Sequence, residues 1–424
     1  MSPSSPTTPD VFVTGIGAIS CLGGSASEFW TGLKAAAATA RPTPVPGLTE
    51  RVPDVLAYQV ADGATGTAGP AGPAGPAGAT GPAGAGTRAD LGRAAGFALA
   101  AAREAVADAG LGPRELAGAA VVIGTAVGES GGRESGDRDG STGDGSIGDG
   151  GGDGGWEPMF SVAASVGGEL GTFGTNISVS NACAASGYAL SVAVDLIRRG
   201  EADTVLLGGA EGISWVPLAS FSRLGAADPE TCRPFDAERR GTVFGEGAAV
   251  LVLQSARAAA GRRTYGRVLG TAWSCDAHHP TAPDPGGEQL VRVARAALDE
   301  AARGPGDIGC VIPHGTGTRQ NDVIEHQVLH EVLGEHAART PLFSLKAFIG
   351  HTAGAAAAFA AVSAALMARH GEIPANVPLA HPDPECPVLL PQDGPTALER
   401  PNVLVNAYAF GGSNFTMVFG GEAR

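Results

Sequence analysis

The chain has 424 residues and a net charge of −15, from 28 Lys+Arg against 43 Asp+Glu. That balance argues against a nucleic-acid binder, which needs a basic surface to neutralise phosphates, and leaves room only for a local cationic patch facing an acidic partner. The hydrophobic content of 43% suits a large globular core of two to three domain-sized units, and no window approaches the roughly 18 uninterrupted apolar residues of a membrane span.

The N-terminal "MSPSSPTTPD" has no basic segment followed by an apolar core, so no secretory signal is expected, and the protein reads as soluble and cytoplasmic. "DVFVTGIGAIS" then opens a buried strand. A Gly-x-y stretch with Pro70, Pro73, Pro76 and Pro82 follows near residues 69–86; it is too short for a collagen helix and reads as a solvated extended loop. "RAAGFALAAAREAVADAGL" predicts an alanine-rich helix leading into the strand "AAVVIGTA". A Gly/Asp/Ser stretch near 128–155 has almost nothing to bury and is expected to be mobile; its likeness to calcium-binding glycine repeats lacks their repeated apolar position. Next, the β-branched run "TNISVS" gives way at Cys183 to a buried helix. "ADTVLLGGAE" and "GAAVLVLQ" supply two further strands before residue 255.

A second set begins at "YGRVLGTAWS". The stretch from Arg103, "REAVADAGLGPRELAGAAVVIG", and that from Arg295, "RAALDEAARGPGDIGCVIPHG", each read as a helix stopped by glycine, then Gly-Pro, an acidic residue and a strand. The helix after Cys183 ends in "RRGEADTV" and that after His351 in "RHGEIPANV". An α/β chain written twice predicts two halves, 1–260 and 261–424, about a pseudo-twofold axis. Cys183 and His351 would then lie at the N-termini of equivalent helices near that axis.

Cys183 by itself allows two readings, a buried structural thiol or a nucleophile whose pKa is lowered from about 8.5 by a helix N-terminus. Its small neighbours Ala182, Ala184 and Ala185 leave room for a substrate. Company favours the nucleophile. His314 ends a strand before a glycine-threonine turn and a helix carrying Asp322 and Glu325; Lys346 and His351 flank another strand-to-helix turn; Phe410 precedes the pair Gly411 and Gly412. Lys346 is one of only two lysines, with Lys34, in a sequence that otherwise writes arginine. The six cysteines form no Cys-x-x-Cys pair, which speaks against structural zinc and a disulfide framework. His326 and His330 have i, i+4 spacing but lack the glutamate of a zincin and read as helix-surface residues, so no metal is expected.

The ordered segments "VFVTGIGAIS", "NACAASG", "CRPFDAERRGTVFGEGAAVLVLQ", "HHPTAPDPGGEQ", "HGTGTRQND", "KAFIGHTAGAAAA" and "AFGGSN" resemble the successive signatures of the elongating β-ketoacyl-acyl carrier protein synthases. The resemblance covers nearly the whole chain outside the two low-complexity stretches. It implies the thiolase fold, a duplicated α/β architecture in five layers (αβαβα), and decarboxylative condensation of an acyl-enzyme thioester with a malonyl-carrier protein. Cys183 matches the nucleophile, His314 and His351 the two histidines of a Cys-His-His triad, Lys346 the active-site lysine and Glu325 its acidic partner. Phe410, Gly411 and Gly412 match the family's oxyanion and gatekeeper segment, with Phe410 the gatekeeping aromatic, and Thr316 and Thr318 match threonines that contact the phosphopantetheine arm. Two imidazoles with protonated Nε2 supply convergent donors for an enolate, and the N–H groups of Cys183 and Phe410 are the expected oxyanion hole. Cofactors are none, since the phosphopantetheine belongs to the carrier protein. The expected partners are that acyl carrier protein and a second ketosynthase-like chain, as a homodimer or as a heterodimer with a chain-length-factor-like subunit; no nucleic acid or membrane is expected. Arg198, Arg199, Arg239 and Arg240 are candidates for a cationic entrance. Type II polyketide or specialised fatty-acyl synthesis is favoured over housekeeping fatty-acid elongation. Asn181 and Ser413 stand where the family commonly has threonine, and Pro313 precedes His314; these departures bear on pocket shape.

Overall fold

The computed structural model describes residues 9–36, 40–48, 52, 54–64, 91–130 and 159–421. The proline-rich stretch at 69–86, and all but the first three residues of the 128–155 stretch, lie outside these.

Nine strands form one twisted sheet: β1 (Val11–Ile19), β2 (Ala120–Gly124), β3 (Asn176–Val179), β4 (Thr204–Glu211), β5 (Gly247–Ser255), β6 (Gly266–Cys275), β7 (Ile308–Ile312), β8 (Asn402–Tyr408) and β9 (Ser413–Gly420). Their order is β7-β8-β9-β6-β1-β5-β4-β2-β3. The joint between β6 and β1 is only three residues long, Val11–Val13 against Gly266–Val268, so two half-sheets meet there. On one side β3–β2 and β2–β4 pair parallel, then β4–β5 and β5–β1 antiparallel. On the other side β7–β8 pairs parallel, then β8–β9 and β9–β6 antiparallel. A single parallel bridge, Val311 to Leu342, stands where β3 stands in the first half. Identical pairing patterns in identical chain order make the two halves structural copies.

The helices follow the same correspondence. α1 (Arg93–Ala109) and α2 (Ser161–Leu170) belong to the first half, followed by α3 (Ala185–Arg198) and α4 (Trp215–Arg223); α5 (Glu288–Glu300), α6 (Arg319–Leu333) and α7 (Ala356–His370) belong to the second. α1 covers the outer face of one half-sheet, α5 and α6 that of the other, and α3 and α7 pack against each other between the sheets. This gives five layers. Strand periodicity fills them: Val121 and Ile123 join the outer core with Phe97, Ala101 and Ala105, while Ala120 and Val122 face the middle layer. Both faces are buried, which is why these strands read as continuous apolar runs.

Two expectations change in detail. α1 is stopped by Gly110 at φ 63, but α5 ends at Ala301 and turns on Ala302 at φ 50, two residues before Gly304. The Arg303 N–H closes that end on the Leu298 carbonyl at 3.0 Å as the Leu111 N–H closes α1 on the Val106 carbonyl at 3.2 Å, so an alanine takes the left-handed position that glycine holds in the first copy. Ala353–His370 does reach the length and mean hydropathy of a membrane span, and 83% of it is buried inside the protein. A helix apolar on every side suits the middle layer between two sheets.

Candidate active site

Cys183 sits on the turn from β3 into α3. Ala182, just before it, has φ 45, a left-handed conformation costing an alanine about 1–2 kcal/mol. The Ala184 N–H closes on the Asn181 carbonyl at 3.2 Å, holding the elbow. At the end of β2, Gly124 leaves the space: a Cβ there would fall 2.3 Å from the Ser186 nitrogen. The strand end therefore abuts the start of α3, and Cys183 is only 8% exposed.

Burial pushes the Cys183 thiol up to about 12, with Lys346 pulling it down, Glu211 pushing it up, and the N–H groups of Cys183 and Phe410 bonding the sulfur. The expected lowering by a helix terminus is thus overridden. Desolvation of a buried thiolate opposes the partial charge of the helix end.

His314 lies two residues past β7. Its N–H donates to Glu325 Oε1 at 2.7 Å, and the Gly315 N–H donates to Glu325 Oε2 at 2.7 Å. The Lys346 ammonium donates to the His314 carbonyl and stands 3.4 Å from His314 Nδ1. A charged ammonium there makes Nδ1 the acceptor, which leaves the proton on Nε2. Lys346 and Glu325 close no direct ion pair; they are joined through the His314 backbone, one at its carbonyl and one at its amide.

His351 reaches the same place from the other half. Its N–H donates to the Val243 carbonyl at 2.7 Å and its carbonyl accepts the Gly245 N–H at 3.0 Å, so a strand edge fixes its backbone. Its ring stacks on Phe244 at 5.5 Å and meets the His314 ring edge-on at 5.5 Å and 86°. Burial first, and the Lys346 charge second, hold both imidazoles well below their ordinary pKa and therefore neutral. His351 is separated from α7 by a 3-10 turn, Ala353–Ala355, rather than standing at the helix terminus itself.

Two cavities meet at Cys183. The first, about 220 Å³, is lined mainly by apolar groups, among them Val127, Ile213, Leu218 and Phe244. The second, about 110 Å³, is lined by His314, His351, Thr316, Thr318, Tyr408 and Asn414 among others. Cys183, Phe221 and Phe410 line both. The Phe221 and Phe410 rings stack at 4.7 Å and 6°, so this pair frames the passage between the cavities. Thr316 and Thr318 share a hydroxyl–hydroxyl bond of 2.9 Å on the wall of the second cavity.

The structure thus gathers Cys183, His314, His351, Phe410, Thr316 and Thr318 around one space, with Lys346 and Glu325 behind His314. Gly411 and Gly412 line neither cavity. Their φ values of 84 and 78 form the turn after Phe410, and their N–H groups are spent on the Pro280 carbonyl at 2.8 Å and the Ala409 carbonyl at 3.0 Å. Neither amide is free to serve an oxyanion. The two departures at Asn181 and Ser413 touch each other: Ser413 Oγ donates to Asn181 Oδ1 at 2.9 Å.

Among the cationic-entrance candidates Arg239 and Arg198 need correction, while Arg240 and Arg199 are exposed beside acidic neighbours. Arg239 is 1% exposed and binds Asp322 and Asp383 inside the protein, and Arg198 is paired with Glu300. Arg240 is drawn to Glu230 at 2.9 Å and Arg199 to Asp195 at 3.7 Å. His326 and His330 lie on α6 with ring centroids 4.4 Å apart. One site group escaped the sequence reading: Glu211, at the end of β4, lines the first cavity and takes N–H groups of Ala126, Val127 and Gly354 at 2.7, 3.1 and 2.9 Å. An acid closing the otherwise apolar strand "TVLLGGAE" was the available signal.

Comparison with known proteins agrees with this architecture. Residues 8–259 match the family described as beta-ketoacyl synthase, N-terminal domain, and residues 265–380 match beta-ketoacyl synthase, C-terminal domain. The chain is 36% identical over 253 residues to nodulation protein E of Rhizobium leguminosarum bv. trifolii, covering 59% of this chain and 62% of that protein. It is 34% identical over 259 residues to 3-oxoacyl-[acyl-carrier-protein] synthase 2 of Synechocystis sp., covering 59% and 62%. The chain therefore spans about three-fifths of the length of these curated relatives. The solved structure of the ishigamide ketosynthase/chain length factor superimposes with a TM-score of 0.81 at 31% identity, over 98% of this chain and 100% of that one. The layered, duplicated architecture is the thiolase fold.

Proposed function

We propose that this chain, which belongs to the β-ketoacyl synthase family, condenses an acyl group held on Cys183 with a malonyl unit delivered by an acyl carrier protein. One observation carries the reading. A nucleophile and two neutral imidazoles share one cavity, and an ammonium at Nδ1 of His314 leaves its Nε2–H aimed elsewhere.

The first step exchanges thioesters. Cys183 Sγ bonds to the acyl carbon, the carrier's sulfur leaves, and the thiol proton passes to that sulfur, with a neutral imidazole as relay. The N–H groups of Cys183 and Phe410 interact with the sulfur, and they are the donors that would receive the oxyanion. The acyl chain occupies the apolar first cavity. In the second step malonyl-carrier protein loses CO₂, and His314 and His351 donate to the enolate oxygen. The enolate carbon then bonds to the acyl carbon, the Cys183 thiolate leaves, and a β-ketoacyl-carrier product two carbons longer is released. Lys346 keeps both imidazoles uncharged, Glu325 holds the His314–Gly315 backbone, and Thr316 and Thr318 receive the phosphopantetheine arm. This chemistry asks for no resident cofactor or metal.

The favoured setting is a soluble enzyme of the cytoplasm serving type II polyketide or specialised fatty-acyl synthesis. The likeness to a protein named as a ketosynthase/chain length factor supports it; housekeeping elongation is the alternative. β3 is an edge strand, and Phe173 beside it is 87% exposed, which supports a second ketosynthase-like chain pairing there. Arg319, next to Thr318, and Arg223, two residues past Phe221, are exposed and close no ion pair among the described residues, and they suit an acidic carrier protein at the mouth.

Intact-protein mass spectrometry with a panel of acyl-carrier proteins, followed by malonyl-carrier protein, tests the reading. The wild type should gain the acyl mass and then lose it to a β-ketoacyl product, whereas Cys183→Ala should gain none. No mass shift on the wild type sinks the proposal.

A further inference from the structure

Tyr408 is among the residues lining the second cavity, and its hydroxyl has no hydrogen-bond partner among the described residues. Tyr408 ends β8, is 5% exposed, and places its ring 5.5 Å from that of His314. That hydroxyl is buried. Several of the neighbouring polar groups are engaged. Thr316 and Thr318 bond each other, Asn414 Nδ2 donates to Asp276 Oδ1 at 2.6 Å, and Asn321 Nδ2 donates to Asp322 Oδ1 at 3.2 Å. A phenylalanine would fill the same space without burying an orphan. A buried hydroxyl without an acceptor costs stability, which an incoming acceptor would relieve.

The acceptor can be identified by elimination along the substrate. The thioester oxygen of the extender faces the two imidazoles, and the amides of the carrier's arm lie toward Thr316 and Thr318. What remains at the reacting end is the malonyl carboxylate, the strongest acceptor of the three. The cavity offers it no cation, because the charged residue lining it is Asp276, whose oxygens are taken by Asn414 and by the Asp284 N–H at 3.3 Å. We propose that the Tyr408 hydroxyl donates to the carboxylate of the malonyl unit when the extender enters this cavity, a role that rests on the condensing-enzyme reading above. Burial, reinforced by Glu325 and Asp276, holds the phenol well above its ordinary pKa, so it remains a neutral donor.

This bond exists before CO₂ leaves and is lost as the carboxylate's charge moves to the enolate. It is therefore a binding contact, and its removal should show in KM rather than in kcat. Tyr408→Phe, which preserves the ring packing, is compared with wild type in two assays: acyl transfer to Cys183 from acyl-carrier protein, and CO₂ release from malonyl-carrier protein. The expected result is an increase of about tenfold in KM for malonyl-carrier protein, a kcat equal to or above wild type, acyl transfer within about twofold, and an unchanged or raised Tm. A KM for malonyl-carrier protein equal to wild type overturns the inference while leaving the synthase reading intact. Equal rises in KM for both carrier substrates place the contact on the arm, and a fall in kcat at constant KM places it on the enolate; either outcome also overturns it. If the wild type neither takes an acyl group nor releases CO₂, both readings fall together.

Discussion

Glu325→Gln separates what the buried carboxylate does for the fold from what it does for Lys346. Each carboxylate oxygen has two donors: Oε1 takes the His314 N–H at 2.7 Å and Asn406 Nδ2 at 3.3 Å, and Oε2 takes the Gly315 N–H at 2.7 Å and Asn321 Nδ2 at 3.4 Å. A glutamine must turn its NH₂ toward one of these pairs. With the NH₂ toward Gly315, Asn321 is near enough to the cavity to turn to water, but the Gly315 N–H stays buried without an acceptor, at about 1–3 kcal/mol. For a 424-residue chain unfolding as one unit, that loss lowers Tm by about 1–3 °C. The second effect is electrostatic. Burial lowers the Lys346 pKa, and Glu325 is the leading influence that raises it again. Removing that charge lowers the pKa further, so Lys346 loses its proton at a lower pH, and the basic limb of the pH–rate profile for malonyl-carrier decarboxylation moves toward neutrality. Burial also pushes the Glu325 carboxyl up to about 7, so the wild-type profile should carry a step near neutral pH that the variant lacks. A variant with a lowered Tm and an unmoved basic limb would refute the coupling to Lys346.

Arg239→Met leaves Asp322 and Asp383 without the guanidinium that both bind inside the protein, and urea unfolding should show a loss of about 3–5 kcal/mol; a loss below 1 kcal/mol would mean the carboxylates are hydrated. His314→Ala and His351→Ala each remove one of two convergent donors, so CO₂ release from malonyl-carrier protein should fall about 10²–10³-fold in either variant. Retention of near-wild-type decarboxylation by one of them would show that the enolate oxygen leans on the other alone.

The repeat was legible because both copies spell the same order of helix, turn and strand, and the pairing pattern follows from that order. The clustering of Cys183, His314 and His351 was legible for the same reason, since equivalent strand ends of two copies face one axis. Other features depend on distances that spacing does not encode. Arg239 looks like a surface cation in "DAERRG", yet it is enclosed because Asp322 and Asp383 arrive from more than 80 positions away. Gly411 and Gly412 look like oxyanion donors, but their amides are consumed by the turn they make. Phe221 and Tyr408 carry no motif of their own, and their roles emerge only from what stands opposite them.

Cys183 shows how burial and local dipoles compete. A helix N-terminus favours a thiolate by at most about 2 kcal/mol, under two pKa units, while full desolvation can raise a pKa by about 3–5 units. Burial wins, and the thiol stands at about 12. The groups that oppose burial are local: Lys346, the residue's own N–H, and the Phe410 N–H. Phe410 also lies against Phe221 at the passage between the cavities. Phe410 therefore belongs both to the frame of the passage and to the surroundings of the sulfur. A residue that frames the passage to the acyl cavity is thus also one of the groups that oppose the effect of burial on the nucleophile.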